Sequence, residues 1–233
     1  MKGLFLKILG LALLAGFVSC DDEEIVATGQ GDAFIISRVA GQDTVFGLAL
    51  HGFGNKDFTS VSVVDGEDTP YQLSSYNGYP YDFFYETPEN DFTVELPYTG
   101  NYNFSFAFIT AETYEDADVL STGVIFPANI TKYEYNSDNE QIELEWDRMD
   151  DADFIVVYLE DTDGVPVFVS RSLSGSTTSF NIAAGTVGWD SYVPETGHPY
   201  RVLIRAYMYE ANGQRDLNIQ AESIATSSVN WGE

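Results

Sequence analysis

Chemistry-bearing residues are densest in this 233-residue chain at 76–85, where six of ten residues are Tyr or Phe. Asn77 and Asp82 are set among Tyr76, Tyr79 and Tyr81. Sugar recognition uses that mixture: flat rings stack on the apolar face of a pyranose, and amide or carboxylate groups meet its hydroxyls. Tyr76, Tyr79 and Tyr81 are therefore candidate stackers, with Asn77 and Asp82 as hydrogen-bond partners. The competing reading puts Phe83, Phe84 and Tyr85 in a core and lets the three tyrosines cover a sheet edge. Trp189 and Tyr192, in a long loop nearer the C-terminus, form a second candidate pair of the same kind.

Metal and catalytic chemistry have less to stand on. Asp161-Thr162-Asp163-Gly164 resembles the opening of an acidic calcium loop, which makes Asp161 and Asp163 candidate ligands. The later ligands and closing Glu of an EF-hand are missing, and Asp-Gly also closes a tight hairpin. Glu112, Glu115, Asp116 and Asp118 form a second acidic loop. There is no Gly-x-Ser-x-Gly elbow, no phosphate loop and no His-Glu-x-x-His, the motifs that carry acyl transfer, nucleotide and zinc chemistry. His51 and His198 sit near strand ends, as structural or solvent-facing histidines do. Carboxylates are so numerous that a pair for glycoside hydrolysis could be picked anywhere. Neither an enzyme nor a cofactor is expected.

The elements that would hold these residues belong to an acidic, aromatic chain. Ten Lys and Arg face 37 Asp and Glu, for a formal charge of −27. Such a surface repels phosphate backbones, so nucleic acid is not an expected partner. It also repels anionic lipid, so membrane contact through the protein face is not expected. Apolar residues make up 44% and aromatics 15%, enough for real cores and biased toward sheet. The single Cys, Cys20, leaves the rest of the chain without a disulfide or a thiol nucleophile.

Cys20 has its own context. Lys2 and Lys7 precede an uncharged apolar run, 8–18, then Ser19, Cys20 and Asp21-Asp22-Glu23-Glu24. A basic start, a short apolar run and a small residue before a cut define a secretory signal, here 1–19. Spanning a bilayer as a helix would need roughly 20 apolar residues. Phe17-Val18-Ser19-Cys20 resembles the lipobox of bacterial lipoproteins, with Phe17 where Leu is usual. The resemblance implies cleavage before Cys20 and acylation of its thiol and amino group. Two or more acyl chains hold a protein stably on a membrane, at ~0.8 kcal/mol per buried CH₂. The acids behind Cys20 resemble the surface-export signal of Bacteroidetes-type lipoproteins, which implies an outer-membrane, cell-surface location. Residues 20–31 then read as the lipidated Cys and an acidic tether.

Beyond the tether, short β runs alternate with turn signals, and no stretch has a convincing helical period. Strands are expected at 33–39, 44–51, 60–64, 71–76, 81–86, 91–96, 101–108 and 119–126. A second series is expected at 130–135, 141–146, 153–160, 165–170, 178–182, 200–207 and 218–229. The fold class is all-β: two tandem immunoglobulin-like β-sandwiches, over 32–127 and 128–233.

Leu144-x-Trp146, followed by Val193-Pro194-x-x-Gly197-x-x-Tyr200-x-Val202-x-Ile204-x-Ala206, resembles the fibronectin type III pattern. The resemblance implies a core Trp on the second strand and a corner Tyr opening the sixth. Val193 stands where Leu is usual, and 185–192 lengthens the loop before the corner. The first series carries a similar corner, Leu96-Pro97-x-x-Gly100-x-Tyr102. A linker as short as 127–129 implies two modules in a stiff rod.

The expected function is that of a non-catalytic cell-surface binding or adhesion lipoprotein, with polysaccharide as a candidate ligand. The rival is a structural spacer or accessory subunit of an outer-membrane or fimbrial assembly, with a protein partner. The expected membrane partner is reached through the N-terminal acyl chains alone.

Overall fold

The computed structural model describes residues 26–190, 193–211 and 218–233. Its first half contributes β1 (Gly29–Ala40), β2 (Asp43–Gly54), β3 (Phe58–Asp65), β4 (Pro70–Gln72), β5 (Ser74–Ser75), β6 (Asp82–Glu86), β7 (Gly100–Phe108) and β8 (Thr113–Leu120). The second half contributes β9 (Ile130–Asn136), β10 (Gln141–Trp146), β11 (Phe154–Glu160), β12 (Pro166–Val169), β13 (Leu173–Ser174), β14 (Ser179–Ala183), β15 (Pro199–Tyr209) and β16 (Ile219–Asn230). Among the described residues the one helical element is a 3-10 turn, Glu89–Asp91. The fold is all-β.

Each half is a sandwich. In the first, β4-β3-β7-β8 faces β1, β2, β6 and β5; in the second, β14-β10-β9 faces β12, β11, β15 and β16. The period-2 alternation of β7 puts Tyr102, Phe104, Phe106 and Phe108 into the core, all buried. Ile142, Leu144 and Trp146 of β10 do the same in the second half. The two corner tyrosines are buried and bond back to the chain through their hydroxyls. Tyr102 donates to the carbonyl of Tyr98 at 2.8 Å, and Tyr200 accepts the amide of Glu195 at 3.3 Å.

The halves are not beads joined through 127–129 alone. β1 pairs in parallel with β16, with Ile35 opposite Ala221 and Arg38 opposite Ile224. One nine-stranded sheet, β12-β11-β15-β16-β1-β2-β6-β5 with β13 on β11, therefore runs through both sandwiches. A strand inside a parallel pair has both faces covered and needs no polar side. β1 is accordingly buried from Gly31 to Ser37, and β16 from Gln220 to Ala225. On the outer face of this sheet Phe34, Ile36, Ala49, Leu203 and Ile224 form a small apolar cluster of their own.

Two strand expectations fail for local reasons. Residues 91–96 alternate, yet only Thr93 pairs, in an isolated bridge to Phe46. Phe92 leaves the alternating face to lie over Gly47, with the Arg38 guanidinium 4.5 Å from its ring centre. The strand expected at 119–126 runs instead at Thr113–Leu120. Its acids are structural acceptors: Asp116 takes the amide of Gly31 at 2.9 Å and Asp118 that of Ala33 at 2.8 Å, tying β8 to β1.

Candidate functional site

The aromatic stretch folds as the connection between β5 and β6. Tyr76-Asn77-Gly78-Tyr79 is a tight turn, closed by the Tyr79 amide on the Tyr76 carbonyl at 2.9 Å. Asn77 and Gly78 both have positive φ, 50° and 77°, the conformation that favours an Asn-Gly pair. The loop is pinned to the sheet below it. The Phe58 amide donates to the Pro80 carbonyl at 2.7 Å, and the Gly54 amide to the Tyr81 carbonyl at 3.0 Å.

On this frame Tyr76, Tyr79 and Tyr81 are 47%, 51% and 44% exposed. The Tyr79 and Tyr81 rings lie 5.7 Å apart, inclined by 34°. Tyr76 leans on Phe84 at 5.5 Å. Phe83 points into the core, as the competing reading has it, while the tyrosines keep a face to solvent. The structure thus brings Tyr76, Asn77, Tyr79, Tyr81 and Asp82 onto one loop.

One neighbour was invisible in the sequence. His51 of β2 places Nε2 2.7 Å from Asp82 Oδ1, and its ring packs 5.2 Å from Phe53 and 6.0 Å from Phe84. Cross-strand register brings the pair together, with His51 opposite Phe84. The pair fixes the Asp82 carboxylate on the loop that carries the tyrosines.

The other candidates separate from this loop. Trp189 is a packing residue. Its Nε1 donates to the Ala183 carbonyl at 2.9 Å, and its half-buried ring meets Phe168 at 5.2 Å and Trp231 at 5.6 Å. It packs against the core of the second sandwich. Its proposed companion Tyr192 lies outside the described residues, as do Cys20 and the tether through residue 25.

Asp161 closes the β11–β12 hairpin. Its Oδ1 accepts the amides of Asp163 and Val165, both at 2.9 Å, and Gly164 turns the chain at φ 79°. That carboxylate serves the turn. Among the described residues no group of three or more His, Cys, Asp or Glu is placed to hold a metal ion.

Buried charge collects instead at the junction of the halves. Asp32 of β1 is buried and accepts the amide of Ile219, the first residue of β16, at 3.1 Å. Burial pushes its carboxyl up to about 8, with Asp118 and Glu210 adding to the rise. Burial likewise raises Asp118, and lifts Glu210 to about 7. Asp32 stands opposite His51 in the β1–β2 register, and these raised carboxyls bear on stability.

No protein-family model and no curated protein matches the sequence. Among solved structures the chain is similar to a two-domain fibronectin type III segment of chicken tenascin, at 14% identity over 78% of this chain and 91% of that one, TM-score 0.29. It is also similar to the 47-kilodalton lipoprotein of Treponema pallidum, at 10% identity over 84% of this chain and 50% of that one, TM-score 0.38. A tetra-tandem repeat from the extending region of a large adhesion protein gives 15% identity over 87% and 50%, TM-score 0.26. The immunoglobulin-like architecture stands on the strand order of the chain itself. No helix among the described residues is long and apolar enough to cross a membrane.

Proposed function

We propose that the chain is a non-catalytic binding or adhesion lipoprotein, held on the outer membrane at the cell surface through acyl chains on Cys20. In this reading its Tyr76–Asp82 loop receives saccharide. The observation that carries the saccharide reading is the rigid, half-exposed tyrosine group with the His51-fixed Asp82 carboxylate at its edge. Preorganised rings lose little freedom on binding, which is how a small aromatic surface gains affinity. The test is a glycan-binding screen of the purified, signal-free chain beside Tyr79→Ala and Tyr81→Ala, with thermal melting to show that both variants remain folded. Binding that is lost in folded variants supports the reading; binding that both variants retain contradicts it.

The spacer reading has one observation in its favour. A sheet continuous through both sandwiches resists bending between them better than a three-residue linker. A chain that binds no glycan but crosslinks stoichiometrically to one outer-membrane protein has the spacer role. The anchor has a separate test. Mass spectrometry of the membrane-extracted protein finds acyl groups on Cys20, and Cys20→Ala releases the protein from membranes; unchanged retention of that variant rejects the anchor.

A further inference from the structure

Cations are scarce here, ten against 37 acids, and three of them line one groove: Arg38, Arg201 and Arg205. The groove opens where β1 parts from β16. Their parallel pairing ends at Arg38 and Ile224, while β16 continues to Asn230 paired to β15. The linker residues Pro127 to Asn129 and Tyr133 complete the wall. It encloses about 690 Å³, within the ~300–1,000 Å³ range of small-molecule sites.

Each guanidinium is anchored by a carboxylate that does not itself line the groove. Arg201 gives Nε, at 2.7 Å, and Nη2 to a single oxygen of Glu160. Arg205 Nη1 donates to Glu222 Oε1 at 2.9 Å, and Arg38 Nη2 to Glu86. Glu160 and Glu222 are buried. Such anchoring holds the forks in place while leaving donors unused. Arg201 has Nη1 unused with its side chain half exposed, while the Nε atoms of Arg38 and Arg205 are buried behind the groove surface.

Guanidinium forks match the paired oxygens of a carboxylate. The remaining polar lining, Glu89, Asn129, Thr226 and Ser227, offers acceptors and donors for hydroxyl groups, and Tyr133 offers a ring. A carboxylate on a polyhydroxylated body satisfies both sets. We propose that this groove between the sandwiches binds an acidic sugar, its carboxylate on the three arginines. The site is separate from the tyrosine loop and does not depend on that loop's function.

The experiment is calorimetric titration of the purified, signal-free chain with galacturonate, with oligogalacturonate, with galactose and with sodium sulfate. Amide chemical shifts at Leu203 and 224–227 report the place of binding. The sugar acid is expected to bind and shift those amides, and galactose to leave them unmoved. Arg201→Lys, which keeps a cation beside the buried Glu160 and loses the planar fork, is expected to weaken binding about tenfold or more with the fold retained in a melting scan. Arg38→Lys, which keeps the charge and loses the fork, weakens it too. Tighter binding of the oligomer identifies polysaccharide as the source, and equal binding a free sugar acid; both uphold the proposal. It is overturned if no acid shifts these amides, if affinity survives both arginine variants, or if sulfate binds as tightly as the sugar acid.

Discussion

Ile35 of β1 lies opposite Ala221 of β16 in parallel register, so the strand that opens the first sandwich is the neighbour of the strand that closes the second. Both side chains are buried in the same continuous core. The pair makes the two halves one structural body, since neither can open that edge without exposing apolar surface in the other. Asp32 adds to the seam from β1 through its bond to the Ile219 amide.

The first prediction concerns cooperativity. Calorimetric unfolding of the signal-free chain is expected to show a single transition, with calorimetric and van 't Hoff enthalpies equal. Ile35→Ala, which empties a fully buried site, is expected to cost about 2–5 kcal/mol. It lowers the whole transition, including the fluorescence change of Trp146 in the other half. Two resolved transitions, or an unmoved Trp146 signal, contradict the shared sheet.

A second prediction follows from Asp32. Its carboxyl titrates near 8 in the folded protein and near 3.8 when unfolded. Between those values the folded state binds more protons than the unfolded state, so stability falls as pH rises through about 4 to 8. Asp118 and Glu210 face the same group and are raised as well, so they add to the slope in the same direction. Asp32→Asn can still accept from Ile219 and no longer ionises. Its melting temperature is expected to exceed that of the parent at pH 8 and to approach it near pH 4. A difference that grows toward low pH reverses the sign and refutes the argument.

Much of the fold was legible because sheet signals are local. Gln141–Trp146 is a strand with the bounds its alternation predicts, and Tyr102 and Tyr200 mark the two corners. The β1–β16 union was not legible, although the unbroken apolar run around Phe34–Ile36 carried its trace; such a run marks a doubly buried strand without naming its neighbour. Acids hid β8, because Asp116 and Asp118 are used as acceptors for β1 and carry no hydrophobic pattern. At the candidate site the tyrosine loop could be found by composition. His51 could not, since register alone brings it to Asp82 from 31 residues away. The packing contacts of Trp189 were not legible either, because composition does not say which way an indole faces. Long-range pairing likewise assembled the arginine groove, from residues on β1 and β15.

The third prediction addresses the corner in the first sandwich. Tyr102 is fully buried, and its hydroxyl has a defined acceptor in the Tyr98 carbonyl at 2.8 Å. Tyr102→Phe keeps the ring and removes the donor. A cost of about 1–2 kcal/mol is expected, the range for a lost bond that strands a partly buried carbonyl. Urea denaturation checks it: the midpoint should fall with an unchanged m-value. An unchanged midpoint shows that water replaces the hydroxyl at no cost.

The last prediction concerns how closely the two sheets of the first sandwich approach. Gly31 on β1 faces Phe104 on β7, and a Cβ built at Gly31 would stand 2.3 Å from the Phe104 ring. Gly29 stands in the same relation to Phe106 at 2.7 Å, and the two rings stack nearly parallel, 12° apart. The contact is to the root of each ring, which cannot swing aside as the tip of a flexible chain would. Gly31 has no positive φ, so space and not backbone strain demands the missing side chain. Gly31→Ala is therefore expected to destabilise by about 1–3 kcal/mol, as overpacking does. Phe104→Leu alone leaves a void and also destabilises. Combined, the two changes partly relieve each other: the double variant should be more stable than the sum of the single losses predicts, by roughly 0.5 kcal/mol or more. Strict additivity would mean that the methyl is accommodated by movement of β1 and not by the ring, and would remove close sheet approach as the reason for glycine at this position.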